Sequence, residues 1–300
     1  MDKIKKILIL GASGMLGSMV FKYFDQLESF LTMGSLRDMN NIPSRTESML
    51  PFNINGNVDT QLHSIMQKFA PDYIINCIGI INKYCRDDDA TGVQNAIWVN
   101  ASFPWELSNF FSKHSPKTRI IQIGTDCVFS GSQGGYSEDS EHDAIDVYGK
   151  TKSLGEVISD NLLNIRCSII GPEIKKKASL LEWFLSQTPN STVTGYAHHK
   201  WNGVTTLQFA KYCEELIVNN QVNEYLKRTN KVHYCPNGIF TKYKLLQIFQ
   251  DVFKTNYHIE FSEHIGVPID RTLISKYSKP ENKDIQIALE ELKIFMNKNY

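Results

Sequence analysis

Tyr148 and Lys152, in the run Val147-Tyr148-Gly149-Lys150-Thr151-Lys152, form a Tyr-x-x-x-Lys pair suited to proton transfer. Residues four apart on a helix share one face and can approach one bound group. A neighbouring ammonium favours the phenolate and brings a poor acid toward neutral working pH. Upstream, Gly124-Thr125-Asp126 ends an expected strand, which sets the Thr125 hydroxyl where it can hold a substrate oxygen. Cys127 lies two residues further, and in a strand that continues outward it faces the same side. It either works in that pocket or merely packs. Tyr-x-x-x-Lys alone is common by chance, so its weight depends on what accompanies it.

It is accompanied by a glycine loop. Leu8-Ile9-Leu10-Gly11-Ala12-Ser13-Gly14-Met15-Leu16-Gly17 places three glycines between an apolar strand and a helix. Gly11 allows a tight turn, Gly14 lets the backbone approach a pyrophosphate, and Gly17 lets the helix pack on the strand. The helix start, Ser13 through Leu16, offers N–H groups to the anion. The spacing G-x-x-G-x-x-G marks a subgroup of dinucleotide folds. At the end of the second strand an acidic residue would serve the ribose of NAD. Here Met33-Gly34-Ser35-Leu36-Arg37-Asp38 offers Ser35 and Arg37 to a 2′-phosphate, which favours NADPH, with NADH as the alternative.

The elements that position these groups alternate regularly. Apolar strands are expected at Ile7–Leu10, Leu31–Gly34, Tyr73–Cys77, Arg119–Gly124 and Asn164–Ser168. Helices are expected at Met15–Leu27, Val58–Phe69, Ile97–His114 and Lys150–Asp160. This rhythm predicts an α/β fold with a doubly wound parallel sheet. Beyond residue 170 the pattern predicts helices at Ser179–Gln187, Thr206–Val218, Thr241–Phe253 and Asp284–Lys298, with a strand at Val232–Cys235. Residues 1–170 then form a dinucleotide-binding domain, receiving part of 204–235, and 171–300 form mainly a smaller substrate-binding lobe.

Composition narrows the class further. The 300 residues carry 32 Lys plus Arg against 32 Asp plus Glu, so neither nucleic acid nor an anionic membrane exerts a general pull. No apolar run is long enough to span a bilayer. The six cysteines show no C-x-x-C pair, which suits a reducing, cytoplasmic setting. His198 and His199 lack partners at ligand spacing, so no metal is expected.

The glycine loop, Asn76-Cys77-Ile78-Gly79, Thr125-Asp126-Cys127-Val128-Phe129-Ser130-Gly131, Tyr136-Ser137-Glu138 and Tyr148-Gly149-Lys150-Thr151-Lys152 together resemble the extended short-chain dehydrogenase/reductases. More narrowly, they resemble the nucleotide-sugar 4-ketoreductases typified by dTDP-4-dehydrorhamnose reductase. The resemblance is tight over the first 170 residues and loose afterwards. It implies that Tyr148 protonates the C4 oxygen of a sugar as hydride arrives from the nicotinamide. Lys152 then binds the nicotinamide ribose, and Thr125 hydrogen-bonds the same oxygen. It places Asn53 and Ile54 beside the adenine, with Asn53 standing where the family commonly has Asp. Ile78 and Gly79 line the cofactor, and Ile170 passes its nicotinamide end.

Cys127 resembles the cysteine of the epimerase/reductases, which pair it with a His or Lys further along. Lys175, Lys176 and Lys177 are the candidate donors, with Lys177 foremost. For a substrate diphosphate, Arg271 is the leading cation, with Lys83 and Lys200 behind it. Trp201 is a candidate to stack on a sugar or base, and Asn100 resembles the family's active-site helix asparagine. The reading is an NADPH-dependent 4-ketoreductase of a nucleotide-linked 4-keto-6-deoxy sugar, UDP favoured and 2-acetamido in type, in deoxysugar or polysaccharide biosynthesis, with C3/C5 epimerisation in view. The alternatives are a monofunctional dTDP-4-dehydrorhamnose reductase and a non-catalytic dinucleotide-binding regulatory subunit. Helices of such folds commonly pair, which leaves a homodimer open.

Overall fold

The computed structural model describes residues 3–38, 48–174, 179–263, 266–278 and 281–300. The chain divides into two compact units. The first comprises 1–124, 146–165 and 210–231, and the second comprises 125–145, 166–209 and 232–300.

Strands β1 (Lys5–Leu10), β2 (Phe30–Leu36), β3 (Met49–Pro51), β4 (Tyr73–Asn76), β5 (Arg119–Ile123) and β6 (Leu162–Arg166) alternate with helices. These are α1 (Met15–Phe24), α2 (Val58–Lys68), α3 (Ala90–Ala96), α4 (Phe103–His114) and α5 (Val147–Leu154). Later come β7 (Ile169–Ile170), α6 (Leu180–Leu185), β8 (Thr192–Tyr196), β9 (His199–Trp201), β10 (Val204–Thr205), α7 (Thr206–Val218), α8 (Gln221–Leu226) and β11 (Lys231–His233). The chain ends with β12 (Phe240–Thr241), α9 (Lys242–Phe253), β13 (His258–Ser262), β14 (Ile269–Asp270) and α10 (Ile285–Asn299).

Seven strands make the main sheet, in the order β11-β6-β5-β4-β1-β2-β3. From β1 the chain builds outward through β2 and β3, then crosses to β4, β5 and β6, and the pairs from β3 to β6 are all parallel. Strands covered on both faces are apolar throughout, and Ile7 to Leu10 are fully buried. Leu62 and Ile65 of α2 join Phe103, Leu107 and Phe111 of α4 against Leu8, Leu10, Ile74 and Ile120 in one core. The order reverses between β1 and β4, which opens a crevice at the carboxyl ends of the strands.

Helix boundaries follow their caps. The helix expected at Lys150–Asp160 instead runs from Val147 to Leu154, because Asp146 accepts the Gly149 N–H at 2.7 Å at its start. Gly155 closes it under the chain at Asn100, where an added Cβ would lie 1.8 Å from the Asn100 carbonyl oxygen. The helix expected at Ile97–His114 begins earlier, at Ala90. It passes through a π-helical stretch, Ile97–Ser102, before α4. That wider turn puts Asn100 inside, 1% exposed.

In the second unit the apolar stripe Ile285, Leu289 and Leu292 of α10 is fully buried, and the helix packs on α9. A polar centre lies elsewhere in this unit. The fully buried Arg166 guanidinium donates to Nε2 of His233 at 3.0 Å and of His142 at 2.6 Å, and stands 5.5 Å from the Phe129 ring centroid. Both imidazoles must accept there, so both are neutral, and His233 donates Nδ1–H to the Ile274 carbonyl at 2.8 Å. Glu138, equally buried, accepts from the His233 N–H at 2.9 Å, Ser275 Oγ at 2.6 Å and the Lys276 N–H at 2.9 Å. Burial pushes its carboxyl up, but the three bonds outweigh that and hold it below the ordinary value of 4.5.

Two outcomes follow from this packing. Gly155→Ala forces α5 away from Asn100 and costs about 1–3 kcal/mol in a urea titration. Glu138 stabilises the fold above its unfolded pKa, and the contribution disappears as pH falls through the depressed folded value. Glu138→Gln therefore lowers stability at pH 7 by about 1–3 kcal/mol, and the gap from the parent closes below pH of about 4.

Candidate functional site

The first unit holds a pocket at the crevice. Gly11, Ser13, Gly14, Ser35, Arg37, Phe52, Ile54, Asn55, Cys77, Ile78, Gly79, Ile80, Asn95 and Val99 line it. Gly11 has φ +82°, a conformation glycine supplies without strain, and its N–H is held by Ser35 Oγ at 3.0 Å. A Cβ on Gly17 would lie 2.1 Å from the Gly11 carbonyl oxygen, so only glycine lets α1 come this close to β1. Gly14 caps α1 with no side-chain hydrogen bond and no acidic residue follows in the first turn. The amides there are left for an anion. This is a cradle that fits a dinucleotide pyrophosphate.

The opposite lip is fixed by amides. Asn76 donates to Gln122 Oε1 at 2.7 Å and accepts the Ile78 N–H at 3.1 Å. Asn100 Oδ1 accepts the Ile80 N–H at 2.9 Å, and its Nδ2 donates to the Ile80 carbonyl at 3.0 Å and to Thr151 Oγ1 at 3.3 Å. Its amide therefore shapes the cofactor lip rather than pointing at a substrate. Leu16 is buried in the core behind the loop, and Met15 and Gly17 belong to the helix start rather than to the pocket wall. Asn53 also turns away. Its N–H donates to Gln61 Oε1 at 2.7 Å and its Oδ1 accepts the Asn55 N–H at 3.1 Å. Asn55 and, from α3, Asn95 are the amides that line the pocket. A two-residue offset within Phe52-Asn53-Ile54-Asn55 hid the first, and Asn95 carried no sequence signal.

Tyr148 and Lys152 sit on α5, one turn apart. Lys152 is 8% exposed, and its ammonium donates to the Ile123 carbonyl at 2.8 Å, at the end of β5. Cys77, a pocket wall residue, feels the Lys152 charge. Burial drives the Cys77 pKa well up and the Lys152 charge offsets this in part. Lys152 thus stands beside the pocket, with Tyr148 half-buried on the same helix face. Lys83 lies exposed in a short 3₁₀ turn, Asn82–Tyr84.

In the second unit β5 does not continue into Cys127 as expected. Asp126–Val128 form a 3₁₀ turn, with Thr125 Oγ1 as its cap accepting the Cys127 N–H at 3.1 Å and donating to Asp126 Oδ1 at 3.2 Å. Thr125 Oγ1 and Cys127 Sγ each reach Asp126 Oδ1 through this turn rather than through strand alternation. Arg271 donates Nε–H to the Phe129 carbonyl at 2.8 Å and an Nη1–H to Cys127 Sγ at 3.7 Å. It stands at the thiol, not at an open phosphate site. Lys200 pairs with Asp270 at 3.0 Å. Trp201, expected in a loop, lies in β9 opposite Phe240 and is 6% exposed, so it packs instead of presenting a stacking face. Ile170 is 2% exposed in β7. Lys175, Lys176 and Lys177 lie outside the described residues. Among the described residues no cluster of His, Cys, Asp or Glu has the make-up of a metal site, and no helix is long and apolar enough to cross a membrane.

Residues 5–170, more than half of the chain, match the RmlD substrate binding domain family. The chain belongs to that family. Its seven-stranded parallel sheet and glycine loop are those of the extended short-chain dehydrogenase/reductases. Over 97% of the chain it is 24% identical to methionine adenosyltransferase 2 subunit beta of Mus musculus, covering 83% of that protein. Among solved structures it resembles dTDP-4-dehydrorhamnose reductase of Clostridium acetobutylicum (TM-score 0.72, 18% identity, 97% of this chain and 99% of that one). It also resembles the Bacillus anthracis enzyme of the same name in complex with NADP (TM-score 0.72, 15% identity, 98% and 100%).

The RmlD-type cradle makes a direct prediction about its lip. Asn100→Ala removes both bonds to Ile80, so stability in a denaturant titration falls by about 1–3 kcal/mol, and dinucleotide affinity measured by fluorescence titration weakens with it.

Proposed function

We propose that this chain is an NADPH-dependent reductase of a nucleotide-linked 4-keto-6-deoxy sugar. The observation that carries the reading is the placement of Lys152, bonded to Ile123 O, its charge felt at pocket residue Cys77, with Tyr148 a turn away on α5. Support for the cofactor comes from Arg37 on the pocket wall and from the NADP complex of the Bacillus anthracis neighbour. The cradle residues are Gly11, Ser13, Gly14, Ile54, Ile78 and Gly79, and Arg37 with Ser35 faces the 2′-phosphate.

A bound dihydronicotinamide supplies the hydride. Tyr148 gives its phenolic proton to the C4 oxygen, and the Lys152 ammonium lowers the cost of the phenolate left behind while holding the ribose. The resemblance gives Thr125 the second hydrogen bond to that oxygen. A UDP-linked 2-acetamido sugar is the favoured substrate and dTDP-4-dehydrorhamnose the alternative. With Cys127 beside Thr125, epimerisation at C3 or C5 accompanies the reduction, since the 4-keto group acidifies both positions. A second reading is favoured by one observation, the match over 97% of the chain to the beta subunit of a methionine adenosyltransferase. In that reading the chain binds a dinucleotide and assembles with another enzyme.

The test is NADPH oxidation with enzymatically prepared UDP- and dTDP-linked 4-keto-6-deoxy sugars. The parent consumes NADPH with one of them. Tyr148→Phe, which keeps the ring and the fold, loses about 10²-fold or more in kcat. Absence of turnover with both sugars, or full activity in the variant, overturns the reductase reading in favour of the subunit.

A further inference from the structure

The pocket of the first unit has an end that hydride chemistry does not use. In the NADPH reading the uncapped start of α1 takes the pyrophosphate and Arg37 the 2′-phosphate, and the purine hangs from the same ribose as that phosphate. The wall beside Arg37 is set by the sheet. Leu36 pairs with Pro51, and the Phe52 N–H donates to the Leu36 carbonyl at 2.8 Å, so the segment Phe52-Asn53-Ile54-Asn55 starts next to Arg37. Trp98 Nε1–H donates to the Ile54 carbonyl at 2.9 Å and brings the π-helical stretch to the same segment. Phe52, Ile54 and Val99 give this end apolar walls, and Asn55 and Asn95 complete it as exposed amides at the rim.

The backbone under these amides is fixed while their side chains are not. Gln61 Oε1 accepts the Asn53 N–H at 2.7 Å, and its Nε2 donates to the carbonyls of Asn53 at 2.9 Å and Asn57 at 3.0 Å. The Asn55 N–H is held by Asn53 Oδ1. Asn95 lies on α3 four residues before Val99, which sets both on one side of the helix. Neither the Asn55 nor the Asn95 carboxamide makes a hydrogen bond among the described residues. Among the described residues, Arg37 is the charged side chain of the pocket wall, and no carboxylate lines it.

We infer that Asn55 and Asn95 read the purine edge of the dinucleotide, and that the cradle takes a hypoxanthine dinucleotide as readily as an adenine one. The inference rests on the NADPH reading of the cradle and extends it to the base. Adenine presents the N6 amino donor beside the N1 acceptor, and an amide side chain pairs with such an edge. Hypoxanthine reverses both, with O6 accepting and N1–H donating. A carboxylate facing position 6 accepts from the amino group and repels O6, so it selects adenine. A carboxamide carries one donor and one acceptor arm, and half a turn about its terminal bond exchanges them. Strong rejection of the wrong base needs a buried polar group left unpaired. At an exposed rim a mismatched arm keeps water as its partner. The apolar walls meet the ring faces, which the two purines share.

Fluorescence titration of the full chain with NADPH and with reduced nicotinamide hypoxanthine dinucleotide phosphate, at one ionic strength, decides it. The two dissociation constants are expected to agree within about threefold. Asn55→Leu and Asn95→Leu each weaken both dinucleotides by about two- to tenfold, and by the same factor for either base. Neither substitution removes a side-chain hydrogen bond seen in the structure, and both positions are exposed, so the variants keep the fold. A hypoxanthine dinucleotide bound about tenfold or more weakly than NADPH overturns the tolerance. Unchanged affinity for both dinucleotides in both variants overturns the role of the amides. The NADPH arm separates this inference from the reading beneath it. NADPH bound with the hypoxanthine analogue rejected removes the inference and keeps the cradle, whereas no binding of either removes the cradle and the inference with it.

Discussion

The approach of α1 to β1 at the glycine loop is the constraint on which the site in the first unit depends. With the Gly17 Cα carrying no Cβ, the Gly11 carbonyl sits where a methyl group would lie 2.1 Å away. Any other residue there pushes the helix off the sheet and swings its uncapped N-terminus out of the crevice. The Ser35 hydroxyl ties the loop to β2, and Asn76 and Asn100 tie the facing segment to β4 and to the π-helical turn. Each bond uses a buried polar group that would be costly to leave unpaired, so loop and lip stay in register. Lys152 completes the arrangement from α5 by bonding the last carbonyl of β5.

The second unit depends on a different balance. Its buried polar groups are charged or titratable, and they hold because each has partners: Arg166 on two imidazoles, Glu138 on three donors, Asp126 on hydroxyls, a thiol and a guanidinium. Low dielectric makes such networks strong when satisfied and expensive when broken. The same low dielectric leaves the Arg271 guanidinium little screened at Cys127.

The main sheet and glycine loop were legible because their signals are local: four-residue apolar strands, one glycine triplet, one Tyr-x-x-x-Lys. Errors came where tertiary contacts set the outcome. Nothing in the run around Cys127 marks a 3₁₀ turn in place of a strand, since the Thr125 cap is a side-chain choice. Trp201 reads as a loop aromatic until the antiparallel partner at Phe240, forty residues on, turns it into a strand residue. Asn53 looks like the adenine contact, but Gln61 on α2 holds its backbone, and Asn55 is the amide on the pocket wall. The short strands β7 to β10 and β12 to β14 hold two to five residues each, too few for periodicity to announce. Arg271 was expected to hold a substrate diphosphate, but its guanidinium meets a thiol some 140 residues upstream, a contact no local pattern carries.

The central claim is that the crevice between β1 and β4 is a preformed NADPH cradle. Isothermal titration of the purified chain with NADPH and with NADH tests it most directly. The account predicts one NADPH per chain, bound at least several-fold more tightly than NADH because Arg37 meets the 2′-phosphate, with the difference shrinking as salt screens that contact. No heat with either dinucleotide, or equal affinity for both at low salt, would contradict it.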